Sequence, residues 1–503
     1  MNSSHPTSLK RTTMTKFKDL PLEILEKITA VPTLSTAEQR CARETCRLLK
    51  SALDPEFYGV FPLNCAIMAS RDALQILQSL QPSREMWNKY ARVLHIRWSR
   101  KSSEKFPCVV DPQAINDSEP DKDKKVELTT EFLHTMDRID GVHWDVSFCI
   151  PIWLHRAVQE TFAPRLPAIT SLTLDMRETN PRFLPLFDLS HFGVENVRIL
   201  RYKGIGGYPP KDSQIGTQLA HVVKSANSNL SVLDIHRLHA NDSNLVWKAL
   251  IGLFENQEES LMPELKLEEL RTDTITFELI RFLAMYRGIG IKCLHLQEDG
   301  YNCVLGRTDS LLDLFNRHIL PRHATILQRL SFGSVYESRW SFGNHWARRL
   351  PRLIHKGGLL KLTELAVSLN EKGVIDPSVY GRQTLDSDNG PPMVHTLLSL
   401  VPSFPRLERL SISISIPQGY RKSSGCGTHR WTHISRMRNS IVQDIQDFRL
   451  GREQRAALLS ETLTIAVSWD MKVLFVLVPV PSTESETREE VDGEYMFMSV
   501  KAN

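Results

Sequence analysis

Cysteine is scarce in this chain and scattered. The 503 residues contain eight, with no C-x-x-C pair among them. That argues against a disulfide framework and for a reducing compartment. Long apolar runs are missing too. The longest, Val473 to Val480, is far short of the ~18 residues a membrane-spanning helix needs and reads as a strand. The polar N-terminus has no apolar signal region. The expected compartment is therefore the cytosol, the nucleus or both. Net charge is only +4, so no general attraction to nucleic acid follows. Catalytic motifs are equally thin: there is no G-x-S-x-G and no H-E-x-x-H. Gly204-Ile205-Gly206-Gly207 lacks the frame of a dinucleotide or phosphate loop and reads as a turn. No enzyme activity, cofactor or metal is expected. What is present, 41% hydrophobic and 24% charged residues, is the balance of a globular protein.

Residues 17 to 58 read as a compact helical module. Pro21 suits a first helical position, where its missing N–H would have no partner. Glu23 falls in the first turn, where the helix dipole favours an anion. Ile24, Leu25 and Ile28 share one face. Ser35 with Glu38 forms a second start, a capping box. Cys41, Thr45, Leu48, Leu49 and Leu53 continue an apolar side, and Asp54-Pro55 is expected to end it. A segment of about 40 residues cannot bury such a surface on itself, so part of it should face something else.

Leu20-Pro21-x-Glu23-Ile24-Leu25-x-x-Ile28, followed by Ala42-Arg43-Glu44-Thr45-Cys46-Arg47-Leu48-Leu49, resembles an F-box in the form found in filamentous fungi. The resemblance implies docking onto the Skp-type adaptor of a cullin–RING ubiquitin ligase. Leu20, Pro21, Ile24, Leu25 and Ile28 would make the first-helix contacts, and Cys46 and Leu48 those of the later helix. Glu44-Thr45 and Leu48-Leu49 stand where the family usually has apolar and aromatic residues.

Beyond the module one phrase recurs: an aliphatic residue, two spacers, an aliphatic, one spacer, an aliphatic. It appears as Ala91/Leu94/Ile96, Ile169/Leu172/Leu174, Val194/Val197/Ile199, Leu230/Leu233/Ile235, Ile291/Leu294/Leu296, Leu327/Leu330/Phe332, Leu362/Leu365/Val367 and Leu407/Leu410/Ile412. Leu267/Leu270 begins another that breaks at Thr272. Amphipathic stretches of helical period lie between, at Gln218 to Ala226, Leu245 to Phe254, Phe277 to Tyr286, Ser310 to Ile319 and Met393 to Val401. The phrase alone is common by chance; its regular alternation with helices carries the weight. Strand–helix–strand units close right-handed and give a parallel sheet. The section resembles the degenerate leucine-rich-repeat half of fungal F-box proteins, with a loose spacing of about 24 to 45 residues. A doubly wound α/β domain is the competing fold for the same alternation.

The expected organisation is α/β: a disordered segment 1–16, the F-box-like module 17–58, an irregular leucine-rich-repeat-like solenoid 59–480 and a mobile C-terminal segment 481–503. Polar loops are expected near 99–128, 371–392 and 417–440. Strands over Leu463 to Val480 would cap the open end.

Three clusters invite a functional reading. Cys426, His429 and His433 have zinc-like spacing, but Arg421, Lys422, Arg430, Arg436 and Arg438 oppose a cation. The segment reads as a solvated basic loop. Trp431 among those cations has the ingredients of a nucleic-acid contact, yet one ring is thin support, and nucleic acid is not the expected partner. Trp340 and Trp346, amid Arg339, Arg348 and Arg349, read as core or loop anchors with solvated arginines, a partner surface being the alternative. Cys293 and His295 share one strand face, as packed residues. The function that follows is a non-enzymatic adaptor presenting a target protein for ubiquitination. A repeat-domain interaction scaffold without any ligase role is the alternative.

Overall fold

A computed structural model describes residues 36–45, 47–64, 73–80, 83–97, 122–145, 152–162, 164, 168–176, 189, 193–204, 214–255, 265–286, 290–298, 307–370, 393–416, 428–460, 463–467, 473–479 and 495–500. The chain divides into two compact units. The first comprises Met1–Asp145 and Cys149–Arg165, the second Val146–Phe148 and Leu166–Asn503.

Among the described residues of the first unit, strands β1 (Val60–Asn64), β2 (Val93–Arg97) and β3 (Gly141–Asp145) pair in parallel and in chain order. Helices Thr36–Thr45 and Arg47–Phe57 precede them. The second helix runs through Pro55 instead of ending at Asp54. Proline late in a helix forfeits a single bond, and the packing here outweighs that loss. Leu53 is fully buried. Arg43 donates to Asp54 Oδ1 at 2.7 Å and to the Tyr58 hydroxyl at 3.1 Å, and its guanidinium lies over the Phe57 and Tyr58 rings. Tyr58 in turn meets Trp87 edge-on at 4.6 Å. Through Tyr58 the helix pair thus meets the helix Arg84–Tyr90. Cys41, expected on the apolar side, is exposed.

Among the described residues the second unit holds twelve strands: β4 (Ser171–Asp175), β5 (Ile199–Lys203), β6 (Val232–His236), β7 (Glu269–Thr272), β8 (Cys293–Glu298), β9 (Arg329–Ser334), β10 (Glu364–Leu369), β11 (Arg409–Ile414), β12 (Arg449–Leu450), β13 (Thr464–Val467), β14 (Val473–Pro479) and β15 (Tyr495–Val500). From β4 to β11 and on to β13 every neighbour is parallel and follows chain order. β14, β15 and β12 then close that end with antiparallel pairs. A doubly wound sheet reverses its strand order at a switch point. No reversal occurs here, so the repeat-like α/β arrangement holds and the doubly wound alternative fails.

One register row shows what drives the stacking. Leu172, Leu200, Leu233, Leu270, Leu294, Leu330, Leu365, Leu410 and Ile465 are successive cross-strand partners, each at most 2% exposed. Each contributes roughly 1.5–3 kcal/mol by leaving water, and each can do so only with the next strand in place. Helices Ile215–Ser225, Ala240–Glu255, Phe277–Met285 and Met393–Leu400 lie within a few residues of the amphipathic stretches. Thr276 caps the third by accepting the Leu279 N–H. The stretch from Ser310 widens into a π turn at Phe315–Ile319, next to Pro321. A π turn accommodates a residue that cannot donate to the regular ladder.

Register also corrects the reading of individual repeats. The fifth strand carries Val197/Leu200/Tyr202 in the three core places, and Val194/Val197/Ile199 is a slip of three residues. Thr272 does not end its repeat: it is fully buried opposite Ile235 and Leu296, and its hydroxyl accepts the Thr274 N–H at 3.2 Å. β1 and β3 place Phe61/Leu63 and Ile139/Val142/Trp144 in the same positions, where an aliphatic pattern cannot find them. Toward the strand ends a buried polar ladder runs from β8 past β11. The Ser415 hydroxyl donates to the Ser334 carbonyl at 2.8 Å and lies 3.0 Å from Ser368 Oγ and 2.6 Å from Ser341 Oγ. Ser334 Oγ reaches Glu298 at 3.0 Å.

Three expected loops or tails are partly structured. Lys122–His134 is a helix inside the polar excursion expected over 99–128. Thr428–Asp447 is a helix where a basic loop was expected, because Ile434, Met437, Ile441 and Ile445 are buried at helical spacing. Tyr495–Val500, expected in the mobile C-terminal segment, is β15, with Phe497 buried. Residues 371–392 lie outside the described ones.

Candidate functional site

Helices cover one face of the second unit's sheet, and the alternate residues of each strand form the other. That open face is a charged ladder. One row reads Glu269, Cys293, Arg329, Glu364, Arg409, and the row beside it Arg201, Asp234, Arg271, His295, Ser331. Opposite charges on neighbouring strands satisfy one another on a half-wet surface. Glu269 receives Arg271 and Arg329 at 2.5 Å each. Arg329 is two strands away, so this bridge passes over Cys293, which is buried. A depression of about 100 Å³ opens beside it, lined by Arg271, Cys293, His295, Arg329, Glu364 and Arg409 among others.

The electrostatics follow from those neighbours. Burial pushes the Cys293 thiol up, and Glu269 pushes it further, so it stays protonated and is no nucleophile. His236 Nε2 lies 2.6 Å from Asp234 Oδ1 and its Nδ1 3.5 Å from Asp273 Oδ2. Burial works against the imidazolium, but bonds to Asp234 and Asp273 win and raise His236 to about 9. His295, whose ring is 6.0 Å from that of His236, is pushed down to about 4 by burial and by the His236 and Arg271 charges. Arg237, next in the chain, has φ 54° and donates its N–H to Asp273 at 2.7 Å, which fixes the acid in place. The arrangement pairs opposite charges within and across neighbouring strands.

The first unit's open face carries a different cluster. His95 and His143, cross-strand partners, stack at 4.2 Å, and both rings approach Asp145. Burial favours the neutral Asp145 carboxyl, but hydrogen bonding and charge from His143 and His95 hold it below the usual carboxylate range.

Of the residues the sequence singled out, Leu20, Pro21, Ile24, Leu25, Ile28 and Cys46 lie outside the described residues. Leu48 falls in the helix Arg47–Phe57. Cys426 is outside them too, while His429 and His433 fall in the helix Thr428–Asp447. Trp431 is half exposed on that helix. Trp340 and Trp346 are fully buried core anchors, the latter stacked 3.7 Å from Phe332. Cys293 and His295 share the open face, as their spacing requires. Asp234, His236, Asp273 and the His95 cluster escaped the sequence reading. Their signal was present: each histidine occupies the spacer between two core places of a repeat, or the place just after. Among the described residues no helix is long and apolar enough to cross a membrane. The chain matches no protein-family model and no curated protein.

Proposed function

We propose that this chain is the substrate-recognition adaptor of a Skp–cullin–F-box type ubiquitin ligase, acting in the cytosol or nucleus. Residues Leu20, Pro21, Ile24, Leu25, Ile28, Cys46 and Leu48 would dock on the Skp-type adaptor. A leucine-rich-repeat-like sheet would hold the target protein. The observation that carries the second half is the open charged face around Glu269, Arg329, Glu364 and Arg409. Interleaved acids disfavour a phosphate backbone and suit a protein surface of matching charge pattern. In this reading the chain supplies proximity, raising the concentration of target lysines near the charged ubiquitin carrier.

The test is reconstitution with a purified Skp-type adaptor. The full chain should form a stoichiometric complex on size exclusion, and Leu25→Asp should abolish it with the melting transition unchanged. No complex, or a complex indifferent to Leu25→Asp, would overturn the tether. The deletion of residues 17–58 is the wrong tool, because it also removes buried Leu53 and the Arg43–Asp54 pair.

That same packing favours a second reading. Helices Thr36–Thr45 and Arg47–Phe57 are pinned to each other by Arg43–Asp54, and Tyr58 just beyond them packs on Trp87 of the helix Arg84–Tyr90, as a cap would. A repeat-domain scaffold without a ligase role would need them only for that. The reconstitution separates the two.

A further inference from the structure

The helix-covered face of the second unit carries a charge contrast that the whole-chain average conceals. Residues 314–363 hold nine lysines and arginines against one acid, Glu337. That is a net +8 in a chain of net +4, so the rest of the chain is net negative. The segment spans two neighbouring helical runs, Arg307 to His323 and Asn344 to His355. They lie side by side. Arg349 donates to the Asn316 carbonyl, His345 Nε2 is 2.8 Å from Asn316 Nδ2, and the Leu359 N–H donates to the Ala324 carbonyl at 2.7 Å. Trp346, Leu350 and Leu353 are buried. Arg317 and Arg322 on the first run are exposed, as are Arg348, Arg352, Lys356 and Lys361 on or just after the second.

Acids do not interleave with these cations as they do on the open sheet face. Asp313, the carboxylate near Arg317, is taken by Arg339 at 2.9 Å. Glu337 lies in the loop ahead of the second run. Of the flanking helices, Phe277–Met285 brings only Glu278, 3.8 Å from Arg281, and Met393–Leu400 brings no acid. Among the described residues Arg348, Arg352, Lys356 and Lys361 form no ion pair. Arg348, Arg352 and Lys356 follow one another at i, i+4, where like charges destabilise a helix. A cation in a last turn can complement the helix dipole. The helices Ala240–Glu255, Phe277–Met285 and Met393–Leu400 carry none there, and Arg348 and Lys361 stand outside the last turn of theirs. The series is a cost to the fold that an anionic partner would offset.

We infer that this face binds the phosphate backbone of double-helical nucleic acid. Protein partners are held through central aromatic or apolar anchors, yet every Phe, Tyr and Trp of residues 314–363 is buried. The same burial removes the stacking platform that single strands require. A membrane surface would take up an apolar face beside the cations. Here only Leu314 and Leu360 emerge, each less than half exposed. Forked guanidiniums without acids among them supply the backbone share of duplex binding, which reads no sequence. The stripe from Arg348 to Lys356 is about 12 Å long, and a duplex presents about seven phosphates over that length. The inference does not depend on the adaptor reading.

Anisotropy of a fluorescent RNA or DNA duplex titrated with the full chain is the direct test. With about four to six phosphates engaged, affinity should fall roughly 10²- to 10³-fold between about 50 and 200 mM salt. Arg348→Gln combined with Arg352→Gln should weaken binding at least about tenfold at low salt and flatten the log–log salt slope by about 2. Arg201→Gln, on the opposite face of the sheet, should change neither. Lysine acetylation of the unaltered chain gives a readout that needs no variant. The duplex should shield Lys356 and Lys361 and leave Lys203, on the open face, reactive. No binding at low salt, or affinity unchanged in the double variant, would overturn the assignment. So would Lys356 and Lys361 left unshielded, or poly-glutamate or phosphatidylserine vesicles bound as tightly as the duplex.

Discussion

His236 Nε2 lies 2.6 Å from Asp234 Oδ1, an ion pair held between adjacent strand positions on the open sheet face. The pair has a pH signature. His236 titrates at about 9 against an ordinary 6.5. Between those values the folded chain keeps a proton that the unfolded chain releases. Its contribution to stability is complete below pH 6.5 and is lost as pH rises toward 9. His295, depressed to about 4, has the opposite sign: its contribution is complete above 6.5 and is lost as pH falls toward 4. Together they place a stability maximum near the unperturbed histidine value. Urea midpoints measured across this range should fall on both sides. His236→Gln should flatten the alkaline limb and His295→Gln the acid limb. A wild-type chain whose midpoint is level up to pH 9 would contradict the assignment.

The Arg43–Asp54 contact makes a separate demand. Both side chains are nearly buried, at 11% and 7% exposure. Asp54→Ala should cost about 3 kcal/mol, because a guanidinium is left in the interior without its anion. The double change Arg43→Met with Asp54→Leu should recover most of that loss, since no charge is then stranded. Chemical denaturation of the parent and the two variants measures it. Equal losses in the single and double variants would show that packing, not charge, dominates here.

Ser415 is the hub of the polar ladder and is fully buried. Ser415→Val should destabilise by about 1–3 kcal/mol, through the unmet Ser334 carbonyl and the hydroxyls of Ser341 and Ser368. Hydrogen exchange offers the local check. Amides at the ends of β9 and β10 should lose protection while those of β5 keep theirs.

Much of this fold was legible in the sequence, for a physical reason. In a stack of repeats each strand must bury its core places on its neighbours, so the apolar spacing is imposed again in every unit. Leu230/Leu233/Ile235 and Leu362/Leu365/Val367 could be read directly. The pattern failed where burial was met by other means. Trp144 and Tyr202 fill the place with a ring, and Thr272 fills it with a hydroxyl that a local N–H satisfies. The helix Thr428–Asp447 was hidden by composition: polar and charged residues outnumber its four core residues, although Ile434, Met437, Ile441 and Ile445 keep the period. The open face was illegible for a different reason. Some of its charges pair within one strand, as Asp234 with His236, but others pair across strands far apart in sequence, as Arg329 with Glu269. Only the register, which no local pattern encodes, brings them together.

Glu269 supplies the last test, because it both covers Cys293 and raises its thiol. Arg271 reaches it from the same strand and Arg329 from two strands away, and the Arg329 bridge is what closes over the sulfur. Glu269→Ala should release Arg271 and Arg329 toward solvent and remove the anion that disfavours a thiolate, while the two cations that favour one remain. Exposure and thiolate fraction then rise together. The rate of alkylation at Cys293, followed by peptide mass spectrometry at pH 8, should increase on the order of tenfold or more. Glu269→Gln should give a smaller rise, since it keeps the shape and loses the charge. A Cys293 as inert in Glu269→Ala as in the parent would mean that backbone burial alone protects the thiol, and that the bridge above it is incidental.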